Sequence, residues 1–163
     1  MKLIFIRHGQ ATAYCADDAG RNLTEFGEIQ AHETADYVAK NHTLDMIIAS
    51  PFNRADQTAK ILQKVVNDNG QNPLFITLDA ITPDDDPVQG VADIERIVVQ
   101  HFGYEHDKTI AIVCHMPIVA RMVAILDGLP PAMFELAECR VLDTKVVAEG
   151  LATQLGQFSP KQP

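Results

Sequence analysis

Cysteine is scarce in this sequence: Cys15, Cys114 and Cys139 are the only three, an odd number without CxxC spacing. That pattern argues against both a disulfide framework and a structural zinc site, and leaves reduced thiols as the expectation. Basic residues are also few, 13 Lys and Arg against 22 Asp and Glu, for a net charge of −9. Nucleic acid and anionic lipid both need a basic face, so neither is an expected partner. Long hydrophobic runs are missing as well. The first, Leu3 to Ile6, is interrupted by Arg7 and His8, too short for a signal-peptide core or a membrane span. A soluble, cytoplasmic protein is expected. No repeat, low-complexity segment or interdomain linker breaks the chain, and its 47% apolar content suffices for the core of one domain, residues 1–163.

Strand signals and helical patterns alternate for most of the length, which is the order expected of a sheet with parallel strands and helices on its faces. Lys2 to Ile6 reads as a first strand. Thr24 is placed to cap a helix running to about Lys40, although Gly27 lies inside it. A short strand follows at Met46 to Ala49, then a helix over Arg54 to Val66 with Thr58, Ile61, Leu62 and Val65 on one face. Leu74 to Thr77 reads as a third strand. Asp86 precedes Pro87, with Gln89 three residues after the cap, the pattern of a capping box opening a helix to about Phe102. Thr109 to Cys114 is an apolar run of strand length, and Pro117 opens a helix that ends near Gly128. Arg140 to Val147 and Ala152 to Phe158 flank Glu149 and Gly150 and suggest two closing strands, with imperfect alternation.

In open α/β sheets ligands sit beyond the carboxyl ends of the strands, so residues just after each strand are the ones to inspect. Arg7, His8 and Gly9 follow the first strand, Ser50 and Arg54 the second, and His115 the strand ending at Cys114. This set suits a phosphoryl group, because guanidinium pairs with phosphate oxygens in bidentate geometry and neutral imidazole is a competent nucleophile. Gly9 would let backbone approach a substrate, or simply make the turn out of the strand. An anion held between Arg54 and a helix N-terminus would remove the conflict of a cation with the helix dipole.

These residues resemble a family. Arg7-His8-Gly9 is similar to the RHG motif of the histidine phosphatase (phosphoglycerate mutase-like) superfamily. Leu23-Thr24, Gly27 and Gln30-Ala31 resemble its LTxxGxxQA segment, and Ser50-Pro51, Arg54, Ala55, Gln57 and Thr58 its SPxxRxxQT segment. Cys114-His115 resembles its second catalytic histidine after a late strand. Four such segments in order, from about Lys2 to Asp127, are a far stronger signal than one tripeptide. The compact length and the stretch Leu78 to Pro83 look most like the small branch typified by the phosphohistidine phosphatase SixA. The resemblance implies a three-layer α/β sandwich with a central, mostly parallel sheet and no large helical cap. It makes His8 the nucleophile, Arg7 and Arg54 phosphate clamps, His115 the second catalytic histidine, and Gly9 and Arg21 substrate-binding residues. Gln10 departs from the acidic residue common after RHG, so no carboxylate acts at that position.

The implied activity is metal-independent and needs no cofactor. A phospho-His8 intermediate would be formed from a phosphorylated protein, such as a histidine-containing phosphotransfer domain, and hydrolysed by water, with protonated His115 stabilising the transferring group. Phosphate, vanadate and tungstate are the expected pocket ligands. A small-molecule phosphomonoesterase or phosphomutase is the alternative enzyme, and an anion-binding regulatory domain the alternative without turnover. The remaining polar residues have plainer readings. His32 belongs on an exposed helix face, His101 and His106 at a helix end, Asp84 to Asp86 in a cap and solvated loop, and Cys114 in a buried strand.

Overall fold

The computed structural model describes residues 1–163. Its elements are β1 (Lys2–Arg7), α1 (Glu25–Asn41), β2 (Met46–Ala49), α2 (Asn53–Asp68), β3 (Leu74–Thr77), α3 (Pro87–Phe102), β4 (Thr109–Cys114), α4 (Ile118–Asp127), β5 (Cys139–Asp143) and β6 (Thr153–Phe158), with a 3-10 turn at Asp79–Ile81. One six-stranded sheet takes the order β3-β2-β4-β1-β5-β6. The neighbours β3, β2, β4 and β1 pair in parallel, whereas β5 is antiparallel to both β1 and β6.

The strand sequences explain why both sheet faces are covered. Side chains alternate across a strand, so Leu3 and Phe5 point to one face and Ile4 and Ile6 to the other, all at most 1% exposed. Met46, Ile48, Ile110 and Ile112 join the first set against α3 and α4; Ile47, Ala49, Ala111 and Val113 join the second against α1 and α2. Near-continuous apolar runs are what a doubly covered parallel sheet demands. Each fully buried isoleucine or leucine adds about 1.5–3 kcal/mol relative to its exposed state.

Local signals set most helix ends. Thr24 Oγ1 accepts from Gly27 N–H at 3.0 Å and caps α1, Asp86 accepts from Val88 N–H and caps α3, and Gly128, at φ 72°, closes α4. Gln89 does not return to the Asp86 backbone, so the capping box is not completed. The strands that close the sheet depart from expectation. β5 ends at Asp143 rather than Val147: Thr144 and Met1 exchange one last pair of backbone bonds in register with the β1–β5 ladder, and Thr144 Oγ1 then donates to Val146 O where the chain turns off the sheet. Val147 is then buried on the α3–α4 side. A register shift between Val141 and Leu142 accounts for the imperfect alternation. No helix is long and apolar enough to cross a membrane.

Candidate active site

The parallel register brings the functional residues together. Ile6 and Ala49 both stand opposite Val113 of the central β4, so β1, β2 and β4 end at one level. Arg7 proves to be the last residue of β1, not the first beyond it, and pairs with Cys114. His8, Ser50 and His115 leave the sheet side by side.

His8 is only 8% exposed. Its Nδ1 lies 2.7 Å from the Gly9 carbonyl, which places the ring proton on Nδ1 and leaves Nε2 as the lone-pair nitrogen. That nitrogen accepts from Arg54 Nε–H at 3.2 Å. Burial, together with the positive charge of Arg54, Arg7 and Arg21, pushes the imidazole down to about 3, against a raising contribution from the Gly9 carbonyl. His8 is therefore neutral near pH 7, the state a nucleophile needs.

Gly9 is held differently from the substrate-binding role expected of it. Its N–H already donates to Thr58 Oγ1 at 3.2 Å, so it serves the site through its carbonyl. The lack of a side chain is needed for packing: a Cβ on Gly9 would strike the carbonyl of Gly27, and one on Gly27 would strike the carbonyl of Gln10. The two glycines let the first turn of α1 press directly on the backbone after His8. Gln30 secures the same segment, accepting from Gln10 N–H at 2.9 Å.

Arg54 touches His8, and the charge of Arg7 also acts on it. Arg7 Nη1 donates to Phe134 O at 2.7 Å, while its Nε is buried with no partner. Burial lowers Arg7 from its ordinary value, and the Glu138 carboxylate acts in the opposite direction. Glu138 is itself buried, accepting from Arg140 Nε at 2.6 Å and from Glu135 N–H at 2.7 Å. Arg54, 4% exposed, sits in the first turn of α2 and is gripped by Asp18. Its Nη1 donates to the Asp18 carbonyl at 2.7 Å and its Nη2 to Asp18 Oδ2 at 3.1 Å. Arg21 meets the other carboxylate oxygen through Nη1 at 2.9 Å, and its Nε and Nη2 donate to Thr12 O. Arg21 thus reaches the pocket through Asp18. The hydrogen bonds from Arg21 and Arg54 hold the Asp18 carboxyl below its usual range.

His115 is fully buried, its ring centroid 5.1 Å from that of His8. Its Nε2 lies 2.7 Å from Ser50 Oγ, and its Nδ1 has no partner. With Ser50 donating, Nδ1 carries the proton and is free to donate to an oxyanion. Burial first, then the neighbouring His8, Arg54 and Arg7, push His115 down to about 2. With no anion present, a protonated His115 is disfavoured, because a cation without a counter-charge is costly there.

Other residues stand where their plainer readings placed them. His32 and Asp84 are exposed, and Asp85 bonds Thr82 N–H and Oγ1. His101 Nδ1 contacts Ile97 O, and His106 accepts from Lys108 N–H at the far end of α3. Burial pushes the Cys114 and Cys139 thiols up to about 12. No three His, Cys, Asp or Glu side chains group as metal ligands. The sequence reading missed Asp18, Glu138 and Phe52, whose ring lies 5.4 Å from both the Arg54 guanidinium and the His115 ring. Only Asp18 had a local signal, an acid three residues before Arg21.

Residues 3–73 match the histidine phosphatase superfamily (branch 1). Over 134 residues the chain is 28% identical to a phosphohistidine phosphatase SixA homolog of Haemophilus influenzae, covering 78% of each. It is 26% identical over 136 residues to the phosphohistidine phosphatase SixA of Escherichia coli, covering 82% of this chain and 80% of that one. The structure of the protein histidine phosphatase SixA complexed with tungstate superposes with a TM-score of 0.82 at 25% identity, covering 98% of this chain and 97% of that one.

Proposed function

We propose that the chain, whose residues 3–73 match the histidine phosphatase superfamily, is a phosphohistidine phosphatase that uses His8 as a covalent nucleophile. One observation carries the reading: a neutral imidazole with its proton held on the Gly9 carbonyl keeps its Nε2 lone pair, capped by Arg54 Nε–H, beside the His115 ring and within reach of the Arg7 charge. An incoming phosphoryl group would take over the Arg54 Nε–H that now caps this lone pair. The unpartnered Arg7 Nε and His115 Nδ1 would meet its other oxygens.

His8 Nε2 attacks phosphorus in line, and the bond from phosphorus to the leaving nitrogen breaks, its electron pair staying on a substrate imidazole that is protonated at its other ring nitrogen and so departs neutral. Nδ1–H stays on the Gly9 carbonyl, which stabilises the phosphoimidazole. Water then cleaves the bond to Nε2, releasing inorganic phosphate and regenerating His8. Arg7 and Arg54 supply the positive charge that a metal ion supplies in other phosphoryl-transfer enzymes. The substrate is a phosphohistidine on another protein, for three reasons. The departing imidazole has a conjugate-acid pKa of about 6.5, so expelling it demands less of a general acid than an alkoxide does. Asp84, Asp85 and Asp86 are loop and cap residues, and Asp18 is held as an anion by two arginines. Between β3 and β4 there is only the 3-10 turn and α3, with no further helices to cover the pocket.

The test is to incubate the protein with a phosphorylated histidine-containing phosphotransfer domain and, side by side, with phosphoglycerate, a sugar phosphate and an aryl phosphate. Acid-labile phosphate should be trapped on His8, and kcat/KM should be highest for the phosphodomain. Turnover retained in a folded His8→Ala variant would overturn the nucleophile, and a higher kcat/KM for a small ester would overturn the substrate class.

A further inference from the structure

We infer that Asp18 is a positioning residue for the phosphate clamp: its carboxylate and its own carbonyl hold the terminal edge of Arg54, so that the side edge faces the reacting phosphoryl group. The inference rests on the proposed phosphatase reading and adds a residue to it.

A guanidinium presents two forked edges, one formed by Nη1 and Nη2 and the other by Nε and one Nη. In Arg54 both nitrogens of the terminal edge are engaged by a single residue, Nη1 by Asp18 O at 2.7 Å and Nη2 by Asp18 Oδ2 at 3.1 Å. Nε points to His8 Nε2 at 3.2 Å. The side edge, Nε with the inner N–H of Nη2, is therefore the one presented beside the nucleophile, and it is the edge that can fork onto two phosphoryl oxygens.

Asp18 is in turn immobilised. Arg21 Nη1 donates to its second carboxylate oxygen at 2.9 Å, and Arg21 is pinned by Nε and Nη2 to Thr12 O at 2.9 and 2.7 Å. The next residue is fixed to α2, since Asn53 N–H donates to Ala19 O at 2.9 Å. A chain Thr12–Arg21–Asp18–Arg54 thus runs from the loop to the clamp. It explains how Arg21 can matter to the pocket without its guanidinium facing His8.

A carboxylate beside an anion site has a second possible effect. As a bare charge it would repel the substrate, and removing it would tighten oxyanion binding. The geometry favours orientation, because without Asp18 Oδ2 the terminal edge of Arg54 keeps only the Asp18 carbonyl, and the bond to His8 is the one other contact that defines its rotamer. The two effects separate cleanly: Asp18→Asn removes the charge and keeps a hydrogen-bond acceptor, whereas Asp18→Ala removes both.

The experiment measures vanadate affinity by calorimetry and steady-state kinetics on the phosphodomain for the wild type, Asp18→Ala and Asp18→Asn, with thermal unfolding confirming the fold. Asp18→Ala should weaken vanadate binding about tenfold or more, the scale of one charge-assisted hydrogen bond. It should lower kcat more than it raises KM, and Asp18→Asn should restore most of both. Tighter vanadate binding in both variants would show a competing anion and overturn the inference, as would affinities unchanged from wild type. If the wild type turned over no phosphohistidine, the functional reading would fail, while the vanadate comparison would still decide the role of Asp18.

Discussion

Replacing Gly27 by Ala sets two principles against each other. Gly27 lies in the first turn of α1, where alanine is the better helix former by about 1 kcal/mol. On propensity alone the substitution should stabilise. The added Cβ, however, would meet the backbone of Gln10, striking its carbonyl oxygen and lying 2.9 Å from both its carbonyl carbon and its nitrogen. Backbone cannot rotate away as a side chain can, so the loop after His8 must retreat. Overpacking of this kind costs about 1–3 kcal/mol. Retreat also strains the bonds from Thr24 N–H to Gln10 O, 3.0 Å, and from Gln10 N–H to Gln30 Oε1, 2.9 Å, each contributing about 1 kcal/mol. The clash wins, with a net loss of roughly 3 kcal/mol, or a fall in Tm of about 6–12 °C for a chain of this length. Because the displaced segment carries His8, kcat should fall as well, by up to about 100-fold for a 1 Å shift. Gly156→Ala is the control, since nothing lies within 4 Å of a Cβ there. Urea and thermal denaturation with kcat on the same preparations check the expectation. A Gly27→Ala protein as stable and as active as wild type would refute the close-approach argument.

Arg140→Ala should destabilise by about 3–5 kcal/mol, because it strips the partner from Glu138, a carboxylate 3% exposed. A urea-derived loss under 1 kcal/mol would contradict this. Acid should weaken the fold through His8 and His115. Both are depressed, to about 3 and about 2, so between those values and about 6.5 the unfolded chain binds more protons than the folded one. Their contribution is complete above pH 6.5 and falls on acidification, by up to about 1.4 kcal/mol per pH unit for each histidine. A His115→Asn variant should therefore show a shallower loss between pH 6 and 4, and an identical slope would count against the assignment. Vanadate should inhibit turnover competitively and EDTA should leave it unchanged, since the oxyanion donors are arginine and histidine. Inhibition by EDTA reversed by added metal would argue the opposite.

Most of the fold and the outline of the site were legible in the sequence. Apolar runs at Lys2–Ile6, Met46–Ala49 and Thr109–Cys114 read as buried strands because a doubly covered sheet leaves no polar face to interrupt them. The helix starts at Thr24 and Asp86 were visible because a cap acts within three residues. Arg7, His8, Ser50, Arg54 and His115 could be grouped because parallel strands deliver the residues at their carboxyl ends to one side. The end of β5 was not visible, since it follows from pairing with the other end of the chain, where Met1 and Thr144 exchange the last bonds in register with β1.

The sequence by itself determined which side chains leave the sheet together and the chemistry they share. Which donors remain free was decided only by the tertiary structure. Gly9 N–H is occupied because Thr58 on α2 lies above it, and the backbone can come so close only because Gly9 and Gly27 both lack a Cβ. Burial, and then the neighbouring His8, Arg54 and Arg7, push His115 toward its neutral form. Arg54 points one edge at His8 because Asp18, 36 residues earlier, holds the other. These outcomes depend on burial and on contacts between residues far apart in the chain, so no local pattern in the sequence encodes them.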